Sequence, residues 1–309
     1  LLNDAVAANG LTADHTVGVT LVDAVTSGDI VLTGTTGTGV RTYTLVDTNN
    51  GNIDITAAGN MVIGVLTAGT AGTAGTVAVT STGGNITDET SDATADIIGS
   101  SVTLSAATGI GESAGNGSLD INAATLASAV STTGDIYINL LNALDENGLG
   151  ANHTVGVTLV DAAGTGNIVL TGTTGSGTRT YTLVDANNGT INVSSVAGNM
   201  VLGLLTAGTG GTANTVAVTA ASGNITDDAN DAFADIVGSV VNITASTGIG
   251  SGANGSIDVN ATTLASATSA TNGIYINLLN DAVAANGLTA NHAVGVTLVD
   301  ATISGGIVL

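Results

Sequence analysis

The sequence predicts an all-β chain wound into a parallel β-helix, a β-solenoid forming a continuous rod from tandem units of about 138 residues. Three observations predict it. The chain is self-similar over long range, it carries a finer rhythm of short alternating strands opened by glycine, and it has neither proline nor helical periodicity.

The long repeat comes first. LLNDAVAANGLTADH at 1–15 returns as LLNALDENGLGANH at 140–153 and as LLNDAVAANGLTANH at 278–292. Residues 1–139 and 140–277 are therefore two copies of one unit, about two-thirds identical, and 278–309 begin a third. The third copy stops inside the segment that reads GDIVL at 28–32, so the chain looks like part of a longer repetitive protein. The two full copies differ in length at DAVAANG against ALDENG, ITAAG against VSSVAG, and GESAGNG against GSGANG. These are Gly-, Ala- and Asn-rich places where a turn can absorb one residue.

Within each unit, GDIVLTG (28–34), TYTLVD (42–47), GNIDIT (51–56), GTVAVTS (75–81), SVTLSA (101–106), GSLDIN (117–122) and GDIYIN (134–139) alternate with period two. Ile30 and Leu32, Ile53 and Ile55, and Val77 and Val79 each place two aliphatic side chains on one face. The nearest approach to a helical segment, ATLASA at 124–129, is too short to stand alone. A string of β-sandwiches would need separate cores with aromatic filling, and aromatic residues are only 2% here. Stacked coils bury small aliphatics continuously and use nearly every backbone N–H, which suits a chain without proline. Coils of roughly 18–24 residues would give six or seven per unit and a rod roughly 60–75 Å long at a strand spacing of about 4.8 Å.

Composition removes several function classes. Two arginines, Arg41 and Arg179, with no lysine against 24 acids cannot neutralise a phosphate backbone, so no nucleic-acid partner is expected. Without cysteine there is no thiol chemistry and no disulfide framework. No apolar run reaches the roughly 18 residues of a membrane helix, so membrane insertion is not expected. The net charge of −22 reflects missing bases more than abundant acids, and it favours cations near the surface.

Runs such as SVTLSAATGIGESAGNGSLDINAATLASAVSTTGDIYIN (101–139) resemble large bacterial surface proteins of the filamentous-haemagglutinin type. The resemblance covers the whole chain and rests on composition and rhythm. It implies a right-handed parallel β-helix serving as an extracellular, cell-surface shaft in an adhesin, biofilm matrix or surface filament.

His15, His153 and His292 recur once per unit, too far apart to share a metal, and read as a copied turn residue. TLVD ends in Asp23, Asp47, Asp161, Asp185 and Asp300. The first four form two pairs spaced by 24 residues, a plausible single coil. Stacked carboxylates would repel, and Arg41 and Arg179, six residues before Asp47 and Asp185, could offset that. Otherwise each Asp caps a turn. The densest acidic stretch is ITDETSDATADI (86–97), repeated as ITDDANDAFADI (225–236). It offers Asp88, Glu89, Asp92 and Asp96, then Asp227, Asp228, Asp231 and Asp235, as a candidate calcium site. The spacing matches neither an EF-hand nor the Gly-rich nonapeptide repeat, and a solvated acidic loop is the alternative. GTTGTG (34–39) has no following lysine or helix to make a phosphate loop and reads as turns.

The expected role is structural and non-catalytic, with no required cofactor beyond a candidate Ca2+. Other copies of the chain, end to end or side by side, and cell-surface glycans are the expected partners. A carbohydrate- or ice-binding repeat surface is the alternative, with Thr-rich rows such as TGTTGTGVRTYT (33–44) as its face. A polysaccharide-active enzyme is least favoured, because the chain lacks the basic groups and aromatic platforms such sites use.

Overall fold

The computed structural model describes residues 1–4, 10–26, 28–69, 73–143, 148–252 and 255–309. Among them every registered strand pair is parallel, and the only helix is a single 3-10 turn at Ala284–Asn286. The expected β-solenoid is the architecture observed. Most of the first inter-unit length difference, at 5–9 and 144–147, and part of the third, at 253–254, lie outside the described residues. The second falls in a turn, where Gly198 adopts φ 88°.

The strands stack in two columns. In the first unit one column holds Val17–Val19 with Val22–Ala24, then Arg41–Thr48 and Met61–Ala68. It continues through Asn85–Asp88 with the start of Ile97–Ala106, and Gly109–Ile110 with the start of Leu119–Ser131, to Ile136–Leu141. The other column holds Ile30–Gly34, Ile53–Ala57, Thr76–Ser81 and the later halves of Ile97–Ala106 and Leu119–Ser131. One column is thus six layers deep per unit and the other five, which makes five and a half coils.

A half-integral count forces the columns to exchange at the unit boundary. Ile168–Gly172, the counterpart of Ile30–Gly34, stacks on Ile136–Leu141 through Ile136↔Ile168. Val155–Val157 and Val160–Ala162 stack instead on Leu119–Ser131 through Thr125↔Gly156 and Ala129↔Val160. The boundary into the third copy exchanges them back, with Ala267↔Val299 on one column and Ile274↔Ile307 on the other. Like residues of successive units therefore lie on opposite sides of the rod, about 26 Å apart along it at about 4.8 Å per layer. The coil count is lower than the six or seven expected. Most coils advance 23–26 residues, but Leu66↔Ile97 spans 31 and Ile136↔Ile168 spans 32, because loops leave the wall there.

The core is a file of Ile, Val, Leu and Ala running through both units. Ile53, Ile55, Val77 and Val79 point inward as their alternation requires, and Ile30 is buried with Leu32 packed partly against the core. Arg41–Thr48 breaks the alternation at a corner: Arg41, Tyr43, Val46 and Thr48 are buried while Thr44 and Leu45 both face out.

The glycines that open the strands have a steric cause. A Cβ on Gly51 would lie 1.9 Å from Gly28 O, one on Gly75 2.0 Å from Gly51 O, and one on Gly166 2.1 Å from Gly134 O. At this corner successive coils touch backbone to backbone, and no side chain fits. The residue after each glycine then pins the next coil. Asp29 Oδ1 accepts from Asn52 N–H (2.8 Å), and Asn52 Oδ1 from Thr76 N–H (2.8 Å). Asp135 Oδ1 accepts from Asn167 N–H (2.6 Å), and Asn167 Oδ1 from Thr190 N–H (2.9 Å), carrying the same ladder across the unit boundary.

The two arginines do not sit beside the stacked Asp residues. Both are fully buried. Arg179 donates to Leu140 O (2.9 Å), Asn142 Oδ1 (3.1 Å), Thr174 O (2.6 Å), Ser195 Oγ (2.9 Å) and Ala197 O (3.1 Å), tying three coils together where the columns exchange. Arg41 makes the matching bonds to Thr36 O (2.6 Å) and Asn3 Oδ1 (3.1 Å). Gly34 and Gly172 make room, since a Cβ there would fall 2.2 Å and 2.3 Å from the respective Nε.

Candidate metal centre

The acidic loops leave the wall between Asn85–Asp88 and Ile97–Ala106, and again between Asn224–Asp227 and Ile236–Ala245. Each is shaped by its own side chains. Asp88 Oδ1 accepts from Thr90 N–H (2.8 Å), and Asp92 Oδ1 from Thr94 N–H (2.6 Å). The second copy repeats this with Asp227 and Ala229 N–H (2.9 Å), and Asp231 and Phe233 N–H (2.7 Å). Between the two turns, Ser91 and Asn230 adopt left-handed φ values of 48° and 49°.

The loop returns its last acid to the wall. Asp96 is 3% exposed, and its Oδ2 accepts from the N–H of Asp120, one coil on (2.7 Å). Asp88, Asp96 and Asp120 each place a carboxylate oxygen within 4.8 Å of the others. Asn139 Nδ2 donates to Asp120 Oδ1 from the coil beyond. In the second unit Asp227, Asp228 and Asp235 form the 4.8 Å group. Asp235 Oδ2 accepts from Asp258 N–H (2.8 Å), and Asn277 Nδ2 donates to Asp258 Oδ1.

Five of the eight sequence candidates are thus brought together: Asp88, Asp96, Asp227, Asp228 and Asp235. Glu89 turns aside over Gly64, where its Oε1 accepts from Thr44 Oγ1 (3.1 Å). Asp92, partly exposed, and Asp231, exposed, stay outside the groups as turn caps. Asp120 and Asp258 were missed because they lie in a different strand run. They follow Asp96 by 24 residues and Asp235 by 23, so the coil period carried the signal.

Packing acids this closely shifts their protonation. Burial pushes Asp96 up to about 9, with the charges of Asp88 and Asp120 adding to it against the Asp120 N–H bond. Asp235 rises to about 8 for the same reasons. Burial raises Asp120 to about 6 despite the Asn139 bond, and raises Asp258 despite the Asn277 bond. Asp92, solvated and bonded to Thr94 and Thr90, is held low.

The remaining candidates are structural in geometry. Asp23 pairs in register with Asp47, and Asp161 with Asp185. Asp161 is raised by burial and by Asp185, while Asp185 accepts from Thr209 Oγ1 (2.6 Å). His153 places Nδ1 3.0 Å from Gly150 O and Nε2 3.1 Å from Ala123 O, and His292 does the same with Thr289 O (2.8 Å) and Ala261 O (3.2 Å). They staple turns to the preceding coil.

Comparison with protein-family models, curated proteins and solved structures found no match.

Proposed function

We propose that the chain is a segment of an extracellular, cell-surface β-solenoid shaft or filament, whose work is reach and stiffness rather than catalysis. The observation that carries this reading is the parallel ladder running unbroken through both unit boundaries, where Ile136↔Ile168 and Ala267↔Val299 join one unit to the next. Units joined in this way share one core and transmit load as a rod, whereas separate domains would hinge at linkers. The resemblance to filamentous-haemagglutinin-type adhesins supports the surface location, and the net charge of −22 disfavours lateral clumping.

Electron microscopy of material from the source cells, with antibody labelling of intact cells, tests this reading. Straight rods labelled at the surface are expected. Compact intracellular particles would overturn it. Screening the chain on acidic and neutral polysaccharides checks the enzymatic alternative, where turnover lost on replacing Asp92 and Asp96 would displace the structural reading.

A further inference from the structure

We propose that each unit holds a calcium ion between two coils, bound in the first unit by Asp88, Asp96 and Asp120 and in the second by Asp227, Asp228, Asp235 and Asp258, fastening the acidic loop to the wall. This does not depend on the shaft reading, since it rests on the local geometry alone.

Proximity of acids would not suffice, and two further features point to a ligand. Asp120 is 1% exposed and Asp227 is 7% exposed, yet Oδ2 of each accepts no hydrogen bond while its carboxylate belongs to the 4.8 Å group. Asp258, 1% exposed, likewise leaves Oδ2 unpartnered beside Asp235. Buried carboxylate oxygens are rarely left unpaired, because the lost hydration is not replaced. Nor can the chain supply the missing charge. It has no lysine, and Arg41 and Arg179 are buried in the core against carbonyl and side-chain oxygens.

The donors are all oxygen, which suits a hard cation. A group within 4.8 Å matches the span across a calcium sphere, whose oxygens lie about 2.3–2.6 Å from the ion, and magnesium would demand a tighter octahedron. The loop supplies flexible carboxylates, while the wall fixes Asp120 and Asp258 through Asn139 and Asn277. The copies differ at four loop positions, with Glu89, Thr90, Ser91 and Thr94 in one and Asp228, Ala229, Asn230 and Phe233 in the other. Asp88, Asp96 and Asp120 keep their places as Asp227, Asp235 and Asp258, and Asp228 joins the second site where Glu89 of the first turns aside.

Calorimetric titration of the EDTA-treated 309-residue chain with calcium chloride tests the proposal. Two saturable ions per chain are expected, with Asp120→Asn and Asp258→Asn each removing one and the double substitution removing both. Asp54→Asn, a change far from either loop in sequence, should leave two. Far-ultraviolet circular dichroism confirms that each variant keeps its strands, as expected when a repelling charge is removed. No saturable heat would overturn the proposal, leaving a shared proton as the only occupant. Two ions persisting in the double variant would also overturn it, as would loss in Asp54→Asn equal to that in Asp120→Asn.

Discussion

The arginine clamp at the unit boundary supports a prediction that can be worked from distances. Gly172→Ala would place a methyl carbon 2.3 Å from Arg179 Nε and 2.4 Å from Cζ, against an ordinary contact of about 3.5 Å. The guanidinium must retreat by about 1 Å, and bonds such as those to Thr174 O and Leu140 O then exceed hydrogen-bond length. Two bonds from a charged donor, at about 1.5–3 kcal/mol each, put the loss at about 3–6 kcal/mol. Repeat arrays seldom unfold in one step, so the measurement is hydrogen exchange read as local opening free energy over 136–142 and 168–184. Arg179→Met should cost a similar amount, because it strands the same acceptors. In the double variant the flexible Met should tolerate the new methyl, so the two losses should not add and the coupling should be about 3 kcal/mol. Gly156→Ala, whose Cβ meets nothing closer than 3.9 Å, is the control. Additive losses, or a Gly172→Ala variant as protected as Gly156→Ala, would refute the clamp.

Three other outcomes follow from the same structure. In EDTA, Asp96 and Asp235 keep protons in the folded chain up to about 9 and about 8 that the unfolded chain releases near 3.8. Stability should therefore fall as pH rises from about 4 to about 9, and Asp96→Asn should flatten the profile of thermal midpoint against pH. Tyr181 is fully buried and its hydroxyl has no hydrogen-bond partner, so Tyr181→Phe should be neutral or stabilising by about 1 kcal/mol, as read by thermal midpoint. Ile55→Asp would bury a carboxylate among aliphatics at a cost of about 4 kcal/mol or more, and rods should be lost in electron micrographs.

How much was legible in the residues depended on whether the period was local. Ile53–Ile55 and Val77–Val79 obey strict alternation, and their inward faces could be read directly. TYTLVD could not be read this way, because Thr44 and Leu45 turn outward together at a corner and shift the parity. The acidic loops announced themselves by density. Their partners Asp120 and Asp258 did not, since they become neighbours only through the 23–24-residue coil advance. The arginines misled because a guanidinium is ordinarily exposed, and burying it took space cleared by Gly34 and Gly172 seven residues earlier. Column exchange was hidden for a different reason. It follows from the half coil left over in each unit, and that remainder depends on how many residues the loops take out of the wall.

The exchange of columns is the claim most directly open to measurement, and a chain without cysteine takes spin labels cleanly. Nitroxides would be placed on partly exposed positions in the pairs Tyr137 with Val169, and Val130 with Asp161. Backbones in adjacent layers lie about 4.8 Å apart, so both pairs should fall within about 15 Å and broaden the spectrum. Labels on outer faces of opposite columns, whose backbones are about 10 Å apart, should be separated by about 25 Å. Short distances for 137–169 and 130–161 with long ones for 137–161 and 130–169 would establish a rod whose columns swap at the boundary. The reverse pattern would contradict it.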